Sequence, residues 1–301
     1  MRVALTLKVG CGLSVHEIAA GLLKEPATIA QGLARAKRRL RERGATLDMP
    51  DPARLAERLD GVLDAICVAF AEGHASAAGE HQVRPDICAE ALRLAEAVAG
   101  HPVVGKPEAR ALAALLLFQA ARLPARTDTA GDLVLLADQD RALWDRRLIA
   151  RGFDWLAMAA SGDRLSEYHA LTGIASEHAR AARFEDTDWP AILDWYDRLV
   201  ALAPSPTHRL NRAVAVAFAR SPAAGLAALD ELAGEPVLRT FHRFHATRAE
   251  LSHRAGRTAD ARAAWGRALA CAPNEPTRRC LARRLRELET GTRQTGQDTT
   301  A

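Results

Sequence analysis

From Leu13 to Arg43 the chain reads LSVHEIAAGLLKEPATIAQGLARAKRRLRER, and its apolar residues recur at helical spacing. Val15, Ile18, Ala19 and Leu22 make one stripe; Ile29, Leu33, Ala36 and Leu40 make another. Ser14 with Glu17 three residues on predicts a capping box at the first helix, and Pro26 predicts the first position of the second. Two helices this short cannot bury their stripes alone. The turn Lys24-Glu25-Pro26 brings the stripes together, so a helix–turn–helix is the expected local fold. Thr28, Gln31, Arg35, Arg38 and Arg39 are then left pointing outward.

The rest of the chain continues in helices. Ala, Leu and Arg dominate while aromatic residues are only 5%, which favours helix over strand. Asp51-Pro52 opens a helix with Leu55, Leu59, Leu63, Ile66 and Phe70 on one face, and Pro107 begins a very apolar one through about Ala121. Loops are expected at Gly73–Asp86 and Gly100–Pro107. Asp132–Leu136, DLVLL, reads as one short strand without a visible partner. In the last third, Trp189, Leu193 and Tyr196 form a stripe. GRTADARAAWGRALACAP places Ala261, Trp265, Ala268 and Pro273 as in the second helix of a tetratricopeptide-like repeat. Tyr196 to Pro204 and Trp265 to Pro273 share one spacing 69 residues apart, about twice a 34-residue period, with a degenerate copy at Ala223–Pro236. The expectation is an all-α protein: a helix–turn–helix over 1–44, a helical middle domain over 45–185, tetratricopeptide-like hairpins over 186–290 and a disordered tail over 291–301.

Charge is distributed unevenly. Nine of the 41 Lys/Arg and three of the 37 Asp/Glu fall in the first 44 residues, leaving 32 and 34 for the remainder. An anionic partner is therefore expected at the N-terminal end, where RAKRRLRER (Arg35–Arg43) holds six basic residues in nine. Lys8 interrupts the opening apolar run too early for a signal peptide, and the longest apolar run, Ala111–Phe118, is far short of a membrane span. Five scattered cysteines with no CxxC suit a reducing compartment. A cytoplasmic protein with no membrane partner is expected.

Sites for chemistry are few. His16-Glu17 begins an HExxH motif, but Ala20 stands where the second histidine belongs. Gly10-Cys11-Gly12 lacks the third glycine of a dinucleotide fingerprint, and the chain has no G-x-S-x-G and no P-loop. His242, His245 and His253 have no carboxylate in register, so no metal or other cofactor is expected. Asp138, Asp140, Arg141, Trp144 and Asp145 form the most polar cluster of the middle domain. Carboxylates beside an arginine suit acid–base chemistry if they line a deep pocket; otherwise they cap helices while Arg141 and Trp144 pack. The second arrangement is the expected one, and no enzyme activity is assigned.

GLSVHEIAAGLLKEPATIAQGLARAKRRLRE resembles region four of the extracytoplasmic-function sigma factors, the helix–turn–helix that reads the promoter −35 element. The matching core is L-S-x-x-E-I-A, a turn, then A-T-I-A-Q-x-L-x-R-A-K-R. FAEGHASA (Phe70–Ala77), CAEALRLA (Cys88–Ala95) and above all GDLVLLADQDRALWDRRLIARG (Gly131–Gly152) resemble the C-terminal extension of one subgroup. So do Asp186–Ala217 and His245–Ala270, and this extension carries a tetratricopeptide-like domain. The resemblance implies transcription initiation, with promoter DNA and the RNA polymerase core as partners and a further protein partner on the repeats. Thr28 and Gln31 become the candidate base contacts, and Arg35, Lys37, Arg38 and Arg39 the candidate phosphate contacts. Region two, which grips the polymerase and melts the −10 element, has no counterpart in these 301 residues, so promoter opening by this chain alone is not expected. Gly32 stands where the family often has a basic residue of the recognition helix, and the Lys24-Glu25-Pro26 turn differs in order from the usual one. The alternative, from another class, is a helical-repeat interaction protein whose basic start binds no DNA.

Overall fold

The computed structural model describes residues 2–22, 24–44, 51–74 and 83–291. The fold is all-α, and the chain divides into two compact units, Met1–Thr187 and Asp188–Ala301. The tail beyond Gly291 lies outside the described residues.

Unit 1 begins with a helix absent from the sequence reading, α1 (Arg2–Val9), which buries Ala4 and Leu7. At eight residues it is too short to persist alone in water, and its packing against the later helix α5 accounts for it. Helices α2 (Val15–Gly21) and α3 (Pro26–Glu42) follow. The Ser14–Glu17 capping box is formed: the Ser14 N–H donates to Glu17 Oε2 at 2.6 Å and the Glu17 N–H to Ser14 Oγ at 3.2 Å. Pro26 opens α3 without a side-chain cap.

The stripe expected from Asp51 onward is interrupted. It forms α4 (Pro52–Ala56) and α5 (Leu59–His74), because the Arg58 N–H turns back to the Leu55 carbonyl, three residues away, instead of extending the helix. The core face survives the break, with Leu59, Leu63, Ile66 and Phe70 all buried. Next come α6 (Pro85–Ala99), α7 (Pro107–Ala120), α8 (Arg146–Ala159) and α9 (Glu167–Arg180). Helix α7 is surrounded by α5, α6, α8 and α9, so every residue from Ala111 to Phe118 is buried. That is why its sequence is apolar all round rather than striped.

Asp132–Leu136 is not a strand. Thr127 and Leu133 make one isolated antiparallel bridge, the Val134 N–H reaches the Arg126 carbonyl, and Leu136–Asp138 turns into a 3₁₀ helix. The partner is the chain just upstream, folded back through Gly131 at φ +79°. Among the described residues no strand forms.

One hydrophobic core runs from Ala4, Leu7, Ile18 and Ile29 through Leu63 and Ile66 to Leu112 and Ile149. Helices α1 and α2 both pack on α5, and a Cβ placed on Gly21 would come within 2.8 Å of Val68 Cγ1. The boundary expected at residue 44 is thus a boundary in charge, not in packing.

Unit 2 is a run of helices α10 (Trp189–Leu202), α11 (Pro206–Ala219), α12 (Pro222–Asp230), α13 (His242–Arg254), α14 (Thr258–Ala270) and α15 (Glu275–Thr290). Asp188, Ser205, Ser221 and Asn274 each accept a backbone N–H at a helix start with proline in the first turn. Each helix packs on the next across a short connection, which makes successive antiparallel hairpins, and α11 also touches α13. Ala261, Ala264, Trp265 and Ala268 are all buried on α14. The degenerate copy is α12, only nine residues long, whose Gly225 lies so close to α11 that a Cβ would meet the Ala217 Cβ at 2.4 Å.

Candidate nucleic-acid interface

Helix α3 is held from behind. Ile29, Gly32 and Leu33 are buried, joined in one core by Leu13, Ile18 and Ala19, and α1 and α2 supply the packing. All six residues singled out from the sequence, Thr28, Gln31, Arg35, Lys37, Arg38 and Arg39, are exposed. So are Arg41 and Arg43. Among the described residues this set makes one ion pair, Arg38 Nε to Glu42 Oε1 at 3.8 Å, with both side chains largely in solvent, where such a pair contributes little. The exposed surface of α3 therefore carries a dense set of solvated cations, the kind of charge that attracts polyanions.

Two expectations are corrected here. Gly32 does not face the anion side; it is buried with Ile29 and Leu33, so its lack of a side chain removes nothing from the outer face. Leu40, expected on the packed stripe, is 43% exposed. The packed face of α3 ends near Ala36, and every residue from Lys37 to Gly44 is exposed.

Glu17 anchors the turn before α2. Burial pushes its carboxyl up, but the two Ser14 hydrogen bonds and the Arg84 and Lys8 charges outweigh burial and hold it below the ordinary carboxylate range. It therefore stays ionised and keeps the cap closed.

The middle-domain cluster is arranged for packing. Asp138, Asp140 and Asp145 are exposed. Asp140 accepts the Ala142 N–H at 2.8 Å, and Asp145 accepts those of Arg147 and Leu148 at the start of α8. Arg141 and Trp144 turn inward and are buried. Arg141 Nη1 donates to the His178 and Ala181 carbonyls, both at 2.6 Å, closing the C-terminal end of α9, and Nη2 reaches Thr187 Oγ1 at 3.4 Å. The Trp144 ring has the Arg141 guanidinium 4.7 Å from its centroid and that of Arg122 at 5.4 Å. Arg122, missed in the sequence because it lies 22 residues before Trp144, is pushed down to about 10 by burial and by Arg141. His178 is pushed down to about 3 by burial and by the same two arginines. Asp140 and Asp145 are thus both taken up by helix starts at the surface.

The three histidines of α13 do not converge: His245 Nε2 is taken by the Arg239 carbonyl at 2.8 Å. Among the described residues no group of three His, Cys, Asp or Glu is placed to hold a metal ion. No helix among the described residues is long and apolar enough to cross a membrane.

Residues 58–160, from the start of α5 to the end of α8, match a family of unknown function, DUF6596. The chain is also similar to an uncharacterized protein of Rhizobium meliloti (strain 1021), 40% identical over 273 residues, which is 91% of this chain. The aligned part is 64% of that relative's length. No solved structure matches the chain.

Proposed function

We propose that the chain is a sigma-factor-like protein of transcription initiation that binds duplex DNA at a promoter −35 element through α3. The observation that carries this reading is the outer face of α3: Thr28, Gln31, Arg35, Lys37, Arg38 and Arg39 all lie in solvent while the opposite face is fixed in the core. The confinement of net positive charge to the first 44 residues supports it. So does the resemblance of Gly12–Glu42 to region four, and of Gly131–Gly152 and later stretches to its helical extension. In this reading the RNA polymerase core is the second partner, and the hairpins of unit 2 take a protein partner with a regulatory role.

The test is binding of the full chain to a duplex over a range of salt. Affinity should fall steeply as salt rises, since each neutralised phosphate releases counterions. Changing Arg35, Arg38 and Arg39 together to Ala should remove most of the binding and flatten the salt dependence. Absence of salt-dependent binding by the unaltered chain would leave the other reading, a helical-repeat interaction protein.

A further inference from the structure

The exposed surface of α3 has a midline and two flanks. Successive residues are about 100° apart round a helix. Gln31 lies midway between Ile29 and Leu33 in sequence, so it stands nearly opposite these two buried residues. Ala27, Ala34 and Arg38 fall on the same outward line, all exposed. Thr28, Arg35 and Arg39 share one flank, and Ala30, Lys37 and Arg41 share the other; these six are exposed as well. Lys37 and Arg39 are close in sequence but about 160° apart round the helix.

This division differs from the one drawn from sequence, in which Thr28 joined Gln31 on the bases and all four cations held phosphates. We infer that α3 enters a major groove along the Ala27–Gln31–Ala34–Arg38 line, that Gln31 selects an adenine, and that Lys37 and Arg39 hold phosphates of opposite strands. The inference rests on the DNA-binding reading above and adds the orientation and the selected base.

Four physical points carry it. A helix with its side chains is about 10–12 Å across and the major groove about 12 Å wide, so flanks on opposite sides of the helix meet opposite backbones. Ala27 and Ala34 stand about one turn either side of Gln31 and bear only methyl groups, so no long side chain holds that part of the helix off the groove floor. The Gln31 amide offers a donor and an acceptor in one plane, the pair that matches adenine N7 and the N6 amino group. Arg38, on the midline two turns further on, has Glu42 beside it, a carboxylate that disfavours a phosphate there.

The experiment selects a preferred site from randomised duplexes with the full-length protein, then alters that site chemically. Replacing adenines one at a time by 7-deazaadenine should reveal one position where the unaltered protein loses roughly five- to a hundred-fold in affinity, the range of a bidentate contact. Q31A should show the weaker binding already, with no further loss at that position. Neutral methylphosphonates placed on one strand at a time separate the flanks. K37A should lose its sensitivity to substitution on one strand only, and R39A on the other strand only. The inference is overturned if Q31A stays sensitive to every deazaadenine, or if K37A and R39A lose sensitivity on the same strand. Failure of the unaltered protein to bind any duplex would instead remove the DNA-binding reading and this inference together. All three substitutions are at exposed positions, so folding should be unchanged, and circular dichroism checks this.

Discussion

At the scale of single residues, the capping box and the half-buried His178 make separable predictions. Ser14→Ala removes the acceptor for the Glu17 N–H, and loss of such a cap costs about 1 kcal/mol. The loss should appear in the denaturant midpoint of unit 1. His178 is pushed down to about 3 by burial and two arginines, whereas in the unfolded chain it titrates near 6.5. The native state therefore refuses a proton that the unfolded state accepts. Stability is unaffected by this group above about pH 6.5 and is lost progressively as pH falls from there toward 3. His178→Gln should flatten the stability profile between about pH 6.5 and 4, read as urea midpoints across pH. His242 is pushed down to about 4 by burial and Arg243, so part of the acid sensitivity will remain in unit 2. An unchanged profile in the variant would contradict the assignment for His178.

At the scale of elements, the close contacts are the most exposed to test. Gly152 on α8 lies against Phe118 of α7, and an added Cβ would come within 2.7 Å of the ring, so Gly152→Ala should destabilise by about 1–3 kcal/mol through overpacking. Thermal denaturation measures it, and a stable variant would mean that Phe118 can move aside. Helix existence was largely legible in the sequence: the stripes of α2, α3 and α5, the proline starts of α3 and α7, and the Ala261–Trp265–Ala268 spacing of α14 all correspond to observed packing. What was not legible has physical causes. Helix α1 is held by contacts to α5, fifty residues away in the chain, which no local pattern records. The break between α4 and α5 leaves the apolar period intact, so periodicity cannot reveal it. DLVLL has strand composition but pairs with only one residue, because the turn at Gly131 folds it onto its immediate predecessor. The outward set on α3 was readable from helical period alone, whereas Gly32 was misplaced because its burial depends on what packs behind α3.

At the scale of the molecule, the two units have separate cores, one from Ala4 to Ala179 and others built on Leu210–Leu251 and Ala249–Leu281. Trp265→Ala deletes a buried aromatic of unit 2, a change that typically costs about 3–5 kcal/mol. Calorimetry should show that loss in a transition belonging to unit 2, with the proposed salt-dependent DNA binding retained. Leu63→Ala, in the shared core of unit 1, should lower the other transition by about 2–5 kcal/mol and weaken the proposed DNA binding at temperatures where unit 1 begins to open. The continuity of that core also decides what can be exchanged. Gly21 fits against Val68 with no room for another atom, and α1 leans on the same helix. A chimaera that swapped in a foreign reading head at residue 44 would place unmatched side chains on α5. If α3 reads DNA as proposed, the interchangeable cassette for retargeting the protein is all of Met1–Thr187, and a redesign confined to the outward residues of α3 is the smaller graft that the fold will accept.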